Sequence, residues 1–102
     1  VANPGDKFDT DKPRWDLLPL EAIACVVDVL TYGARKYAPD NWRAVPDAKR
    51  RYYAAAQRHL SAWWLGEQDD PETKLPHLAH ACCCTLFLLA LQVTAGNGGG
   101  NG

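Results

Sequence analysis

The sequence predicts an all-α fold, a small helical bundle of three main helices that oligomerisation completes. Two observations carry this. Apolar residues recur at helical spacing in three stretches, and no segment alternates as a half-buried strand does. The third stretch, LPHLAHACCCTLFLLAL (75–91), is apolar on every side past Ala81, which marks a helix surrounded by others. A chain of 102 residues fits one small domain. It supplies too few neighbours for such a helix, so helices from a second copy are expected to complete the bundle.

The elements follow in order. Residues 1–19 form an extended N-terminal arm, because Pro4, Gly5, Pro13 and Pro19 forbid a long helix. Trp15, Leu17 and Leu18 are expected to pin this arm to the body. A first helix runs from about Leu20 to Lys36, with Pro19 where a proline is tolerated. Ile23, Val26, Val27 and Leu30 give it a buried stripe, and Arg35 and Lys36 end it with the charge the helix dipole favours. After the loop APDNWRAVPD (38–47), a second helix is predicted from Ala48 to Leu65, N-capped by Asp47 and stopped near Gly66. The acidic connection EQDDPETK (67–74) leads to a third helix from Pro76 to about Val93, with Thr73 as its candidate cap. The helical domain thus covers 20–95, and GNGGGNG (96–102) reads as a flexible tail.

Composition narrows the function. Eleven basic and 12 acidic residues leave a net charge of −1, without the basic excess of a nucleic-acid footprint. The polar, Pro- and Gly-rich start is unlike a signal peptide. The apolar run Ala81–Leu91 is shorter than the ~20 residues a membrane span needs. A soluble, cytoplasmic protein is expected. Cys82, Cys83 and Cys84 fan around a helix and no pair has Cys-x-x-Cys spacing, so they read as reduced, buried core residues.

The histidines carry the sharper signal. At i and i+3, His77 and His80 lie about 60° apart on one helical face, which continues into the bundle as Ala81, Cys84, Leu88 and Leu91. Such a pair can grip one cation; the plainer reading is two core histidines satisfied by their neighbours. His59 lies on the second helix, and Glu67, Asp69, Asp70 and Glu72 occupy the connection. A helix–loop–helix hairpin would gather these groups, and a mixed imidazole and carboxylate set suits Mn²⁺, Co²⁺ or Zn²⁺ as well as Mg²⁺. The alternative is a solvated acidic loop. On the first helix Glu21, Cys25, Asp28, Tyr32 and Lys36 form a polar stripe, with Glu21 its strongest candidate ligand, or else simply a half-exposed face. In the loop that follows, Lys36, Tyr37, Asn41 and Trp42 combine an aromatic face with an amide, as a nucleobase pocket requires. Lys12, Arg14 and Arg58 are available for phosphates. The competing view is that Trp42 plugs the top of the bundle. The residues alone also allow a non-catalytic helical oligomer with a structural metal site, acting as a binding module.

Together KPRWDLLPLEA (12–22), GARKYAPDNW (33–42), RHLSAWWLGEQDDPET (58–73) and PHLAHA (76–81) resemble the phage dATP/dGTP diphosphohydrolases, MazG-like all-α nucleotide pyrophosphohydrolases, over roughly residues 7–92. The resemblance implies hydrolysis of dGTP or dATP between the α- and β-phosphates, with Mg²⁺ or Mn²⁺ as cofactor, by a dimer or tetramer. Some members supply dGMP for phages whose DNA carries 2-aminoadenine. Taken with the residue candidates above, the metal site is drawn from His59, His77, His80, Glu67, Asp70 and Glu21, with Glu67, Asp70 or His59 acting on the water. Lys12, Arg14, Lys36 and Arg58 would meet the phosphates, Tyr37 or Trp42 would stack on the base, and Asn41 would read its edge. The chain departs from the broader MazG pattern: it has no Glu-x-x-Glu, the Glu-x-x-Asp slot holds His77-Leu-Ala-His80, and the earlier motif falls near Arg58-His59. A site with histidines there is softer and less negative, which favours Mn²⁺ over Mg²⁺.

Overall fold

The computed structural model describes residues 2–97. They form three α-helices, α1 (Leu20–Lys36), α2 (Ala48–Trp64) and α3 (His77–Asn97), with short 3₁₀ turns at Trp15–Leu17 and Asn41–Ala44. The only β-type pairing among the described residues is one isolated bridge between Asp69 and Pro76, which closes the α2–α3 connection. The all-α expectation holds. The third helix is longer than expected: Gly96 and Asn97, read as tail, continue it, since nothing from Thr85 to Ala95 breaks a helix and a single glycine costs only ~1 kcal/mol. The rest of the tail, 98–102, lies outside the described residues.

α2 and α3 form an antiparallel hairpin, and α1 lies against α3. Cys83 Sγ approaches the Val26 carbonyl at 3.5 Å, while Tyr32 and Lys36, further along α1, reach Glu72 ahead of α3, so these two helices are also antiparallel. The buried apolar residues are Val26, Ala56, Ala79, Ala81, Cys83 and Cys84. All are small, and small residues let helix axes approach closely. This tight seam lies along the first two turns of α3, directly beside the histidines.

Much of the remaining apolar surface is uncovered. Trp15, 80% exposed, and Leu17 and Leu18 are not buried, so they do not pin the arm as expected. Arg14 instead pairs with its neighbour Asp16 at 2.7 Å. Val27 drops out of the α1 stripe, and Cys82 is exposed while its two neighbours are buried. Consecutive residues on a helix point about 100° apart, so three cysteines in a row cannot face one neighbour. Leu78, Leu86, Leu89 and Val93 extend the bare stripe along α3. The window His77–Gly96 has a mean hydropathy of 1.8 and is 22% buried, so by length and composition α3 is long enough to cross a membrane. Counting from Ala81 to Leu91 alone underestimated it.

The end of α2 sets up the site. Gly66 has φ +106, the N–H of Gly66 donates to the Trp63 carbonyl, and the N–H of Glu67 donates to the Ala62 carbonyl, both at 3.0 Å. This is the Schellman pattern, in which a left-handed glycine turns the chain off the helix. At the other end of α2, Asp47 is itself left-handed (φ 55) and makes no side-chain cap, contrary to expectation; its carboxylate lies 3.5 Å from Arg50 Nε. Replacing Gly66 by alanine forces a Cβ into the left-handed region, and Gly66→Ala is expected to cost about 1–2 kcal/mol. That lowers the melting temperature by roughly 4–8 °C per kcal/mol in a domain of this size. An unchanged melting curve would contradict this account of the turn.

Candidate metal centre and adjoining cleft

The connection between α2 and α3 is held by its own backbone. Asp70 N–H donates to the Leu75 carbonyl and Lys74 N–H to that of Asp70, both at 2.8 Å, while His77 N–H donates to Gln68 at 2.9 Å. Asp70 Oδ1 accepts from the N–H groups of Glu72 (2.7 Å) and Thr73 (3.2 Å), an Asx turn that commits one carboxylate oxygen to the loop. The other, Oδ2, faces His59 Nδ1 at 3.9 Å.

His77 is the only buried polar residue among those described, 4% exposed. Its Nε2 lies 2.6 Å from Glu67 Oε1 and its Nδ1 lies 2.9 Å from His59 Nδ1. The carboxylate can only accept, so Nε2 of His77 carries a proton. In the neutral ring Nδ1 is then a lone pair, which accepts the proton on His59 Nδ1. A histidine whose far nitrogen donates to a carboxylate is the arrangement that orients an imidazole toward a metal.

His59, Asp70 and His77 each present one donor atom, all within 4.8 Å of one another. Two nitrogens bound to one ion at about 2.0–2.1 Å are roughly 3 Å apart when they sit at a right angle. The 2.9 Å between the two Nδ1 atoms fits this. Were an ion held there, His59 and His77 would offer it their Nδ1 lone pairs, with His59 protonated on Nε2 instead. The donor set of two imidazoles and a carboxylate therefore fits a divalent first-row metal.

His80 takes a different place from its predicted partner. Its ring stacks on His59, centroids 4.5 Å apart and planes 8° apart, and its Nε2 lies 2.7 Å from Thr73 Oγ1. Thr73 Oγ1 also accepts from Leu75 N–H at 3.2 Å, so this side chain holds the His80 ring rather than capping α3. Burial, followed by the neighbouring His80 and His77, pushes the His59 pKa down; burial also lowers that of His80, against the pull of Asp70. For Asp70 burial opposes the charge, but the Glu72 and Thr73 N–H groups with the histidines outweigh it and lower its pKa. At neutral pH these shifts favour uncharged rings at His59 and His80 and an ionised Asp70, the forms that bind metal.

A cleft of about 1080 Å³ opens between α1, the 3₁₀ turn Asn41–Ala44 and α2, and His80 lies in its wall. Tyr37, Asn41, Trp42 and Arg58 of the predicted substrate residues line it. Lys36 does not: its Nζ is 2.9 Å from Glu72 Oε2, which also accepts from Tyr32 Oη at 3.1 Å, and this pairing lowers the Glu72 pKa. Lys12 and Arg14 lie on the exposed arm, away from the cleft walls. Glu21 is not brought to the cluster; it lies 11 residues before Tyr32, roughly 16 Å along α1. Glu67 sits behind His77, outside the three-donor group. Sequence reasoning missed Arg43, Arg50 and Arg51, which also line the cleft. Arg51 could have been found, since it precedes Arg58 by seven residues and so shares its face of α2.

A family model described as dATP/dGTP diphosphohydrolase, N-terminal, matches residues 2–98. A protein of Salmonella phage PMBT28 named dATP/dGTP diphosphohydrolase is 32% identical over 87 residues, covering 85% of this chain and 29% of that relative. The chain therefore spans under a third of the length of the curated relative it matches. No solved structure matches it.

In the presence of a chelator, the lowered pKa values of His59 and His80 make the unfolded chain the better proton acceptor below about pH 6.5. Stability is expected to be full above that pH, to fall as pH drops toward the lowered folded-state values, and to level off below them. Thermal melts between pH 7 and pH 5 check this, and a flat melting temperature would contradict it.

Proposed function

We propose, from the premise that this chain belongs to the dATP/dGTP diphosphohydrolase N-terminal family, that it binds a purine deoxynucleoside triphosphate, dGTP or dATP, and hydrolyses it to the monophosphate and pyrophosphate. The observation that supports this most directly is the meeting of the His59–His77–Asp70 donor group with an arginine-lined cleft at His80. His59, His77 and Asp70 would hold Mn²⁺ or Mg²⁺, and the two imidazoles favour Mn²⁺. When bound, such an ion supplies Lewis acidity and a water of lowered pKa.

The chain's own groups do the remainder. Glu67 keeps His77 in the tautomer whose Nδ1 carries the lone pair, and Thr73 fixes the His80 ring at the cleft wall. Arg58 neutralises phosphate charge. Water oxygen adds to the α-phosphorus as the bond to the α–β bridging oxygen breaks, so pyrophosphate leaves with that electron pair. The water's proton passes to a carboxylate; with Asp70 Oδ2 given to the ion, Glu67 is the candidate, since it is Oε1 that meets His77. The phage origin of the relative supports a place in phage nucleotide metabolism, with dGMP release toward 2-aminoadenine DNA as its narrowest form.

The same reading includes a homo-oligomer. The radius of gyration is 17.7 Å, against about 13 Å for a compact domain of this length. Leu78, Cys82, Leu86, Leu89 and Val93, at 4-4-3-4 spacing along α3, form the face that a second copy would cover. Light scattering after size exclusion is expected to give a multiple of 11.2 kDa, and Leu86→Glu with Leu89→Glu to reduce it to the monomer. A wild-type monomer at micromolar concentration would remove this part.

Turnover is tested by incubating dGTP or dATP with Mn²⁺ and resolving the products. Monophosphate with pyrophosphate is expected. Inorganic phosphate alone, or no turnover beside a bound metal that triphosphate leaves undisturbed, would instead indicate the non-catalytic binding module. Asp70→Asn keeps the Asx turn but removes the charge facing His59. It is expected to weaken Mn²⁺ binding by roughly tenfold or more, read by calorimetry with helicity unchanged.

A further inference from the structure

We propose that the end of the cleft beside the 3₁₀ turn Asn41–Ala44 seats the polyphosphate tail of the substrate, its β- and γ-phosphates, and that Trp42 is the floor presenting those arginines rather than a platform for the base. This rests on the triphosphate reading above and assigns an orientation within it.

Charge is the first observation. The chain has six arginines and a net charge of −1. Four of the six, Arg43, Arg50, Arg51 and Arg58, line this one cleft, with Asp40 as the only acidic residue in its wall. Guanidinium forks match phosphate oxygens two at a time. Such a concentration of cations in an otherwise balanced chain is suited to an anion of several charges.

The second observation concerns Trp42. Phe87 stacks on it with centroids 4.4 Å apart and planes 10° apart. The Arg43 guanidinium lies 4.3 Å from the same ring centroid. Phe87 and the Arg43 guanidinium thus both lie against the indole, which leaves little of its surface for a further stacking partner. Tyr52 meets Phe87 edge-on at 5.2 Å and extends the floor. A purine can stack on Trp42 only by displacing Arg43, whereas a phosphate needs no such movement. Stacking on an indole holds the guanidinium flat; its Nε lies 3.5 Å from Asp40 Oδ1, and its terminal N–H groups remain for a ligand.

Spacing supplies the direction. Arg58 is adjacent in sequence to His59 of the metal group, and Arg51 lies seven residues earlier on α2, roughly 10 Å along the helix. An α-phosphate near Arg58 and His80 directs the phosphates beyond it toward Arg51, Arg50 and Arg43. The negative charge leaving as pyrophosphate then develops against three guanidinium groups, two of which, Arg43 and Arg50, also face Asp40 and Asp47 at 3.5 Å.

The test uses the full chain in a chelator, with inorganic tripolyphosphate and dGMP as separate probes in calorimetric titrations. In the double variant Arg50→Gln, Arg51→Gln, tripolyphosphate affinity is expected to fall at least roughly tenfold, the loss of one or more charge-assisted bonds. The dGMP affinity is expected to change less than about twofold. Both side chains are exposed, and circular dichroism checks that the helices persist. Unchanged tripolyphosphate binding, or an equal loss for dGMP, overturns the assignment. Because neither titration needs turnover, a chain that hydrolyses nothing but still loses tripolyphosphate in the variant defeats the hydrolase reading and keeps the anion seat. A working hydrolase whose variant binds tripolyphosphate normally does the reverse.

Discussion

The molecule is organised by the approach of two imidazole nitrogens, His59 Nδ1 and His77 Nδ1, to 2.9 Å. That distance fixes the register of α2 against α3, and only helices whose contact surfaces are small can come so near. Ala56 on α2 and Ala79, Ala81 and Cys84 on α3 meet that condition. A larger residue at any of them would separate the histidines along with the helices, because close-packed interiors transmit displacement rather than absorb it. The core and the site are therefore one structure. The seam that buries the most also aligns the donors, and Gly66 delivers the Glu67 carboxylate that chooses the His77 tautomer.

The cleft is a second layer on this arrangement. Its floor is the Trp42–Phe87–Tyr52 group, which joins the 3₁₀ turn to α3 and to the start of α2. His80 belongs to both layers, stacked on His59 on one side and lining the cleft on the other. The only described links from α1 to the acidic loop run through Glu72, by way of Tyr32 and Lys36. Those side chains are exposed, and exposed ion pairs contribute little stability. They aim a loop more than they hold a fold.

The three helices were legible because their periodicity, the prolines and Gly66 are local signals, and α1 was read with its observed ends. The gathering of His59, Asp70 and His77 was legible too, since a short connection between antiparallel helices leaves few other places for them. Their division of labour was not. His77 and His80 share a helical face, yet Glu67 and His59 claim one while Thr73 claims the other, and periodicity carries no information on such partners. Trp42 has the composition of a stacking platform, but whether its faces are free depends on Phe87, 45 positions away in the sequence. The exposed arm shows a related limit: Trp15 and Leu17 look like anchors, and among the described residues nothing buries them.

The donor residues all fall between positions 59 and 80, inside one helix–loop–helix hairpin. Contacts so close in sequence form early and cost little chain entropy, which is the regime of low contact order. An ion held there would bind a unit already assembled and would tie α2 to α3 without touching α1. The molecule then has two separable tiers of stability. The hairpin would persist as a cooperative unit under conditions that loosen the rest, and α1, joined to it by the Val26–Cys83 contact and the Glu72 bridge, would be the first element to detach. Since α1 also forms one wall of the cleft, substrate entry could draw on the same low-energy opening that begins unfolding.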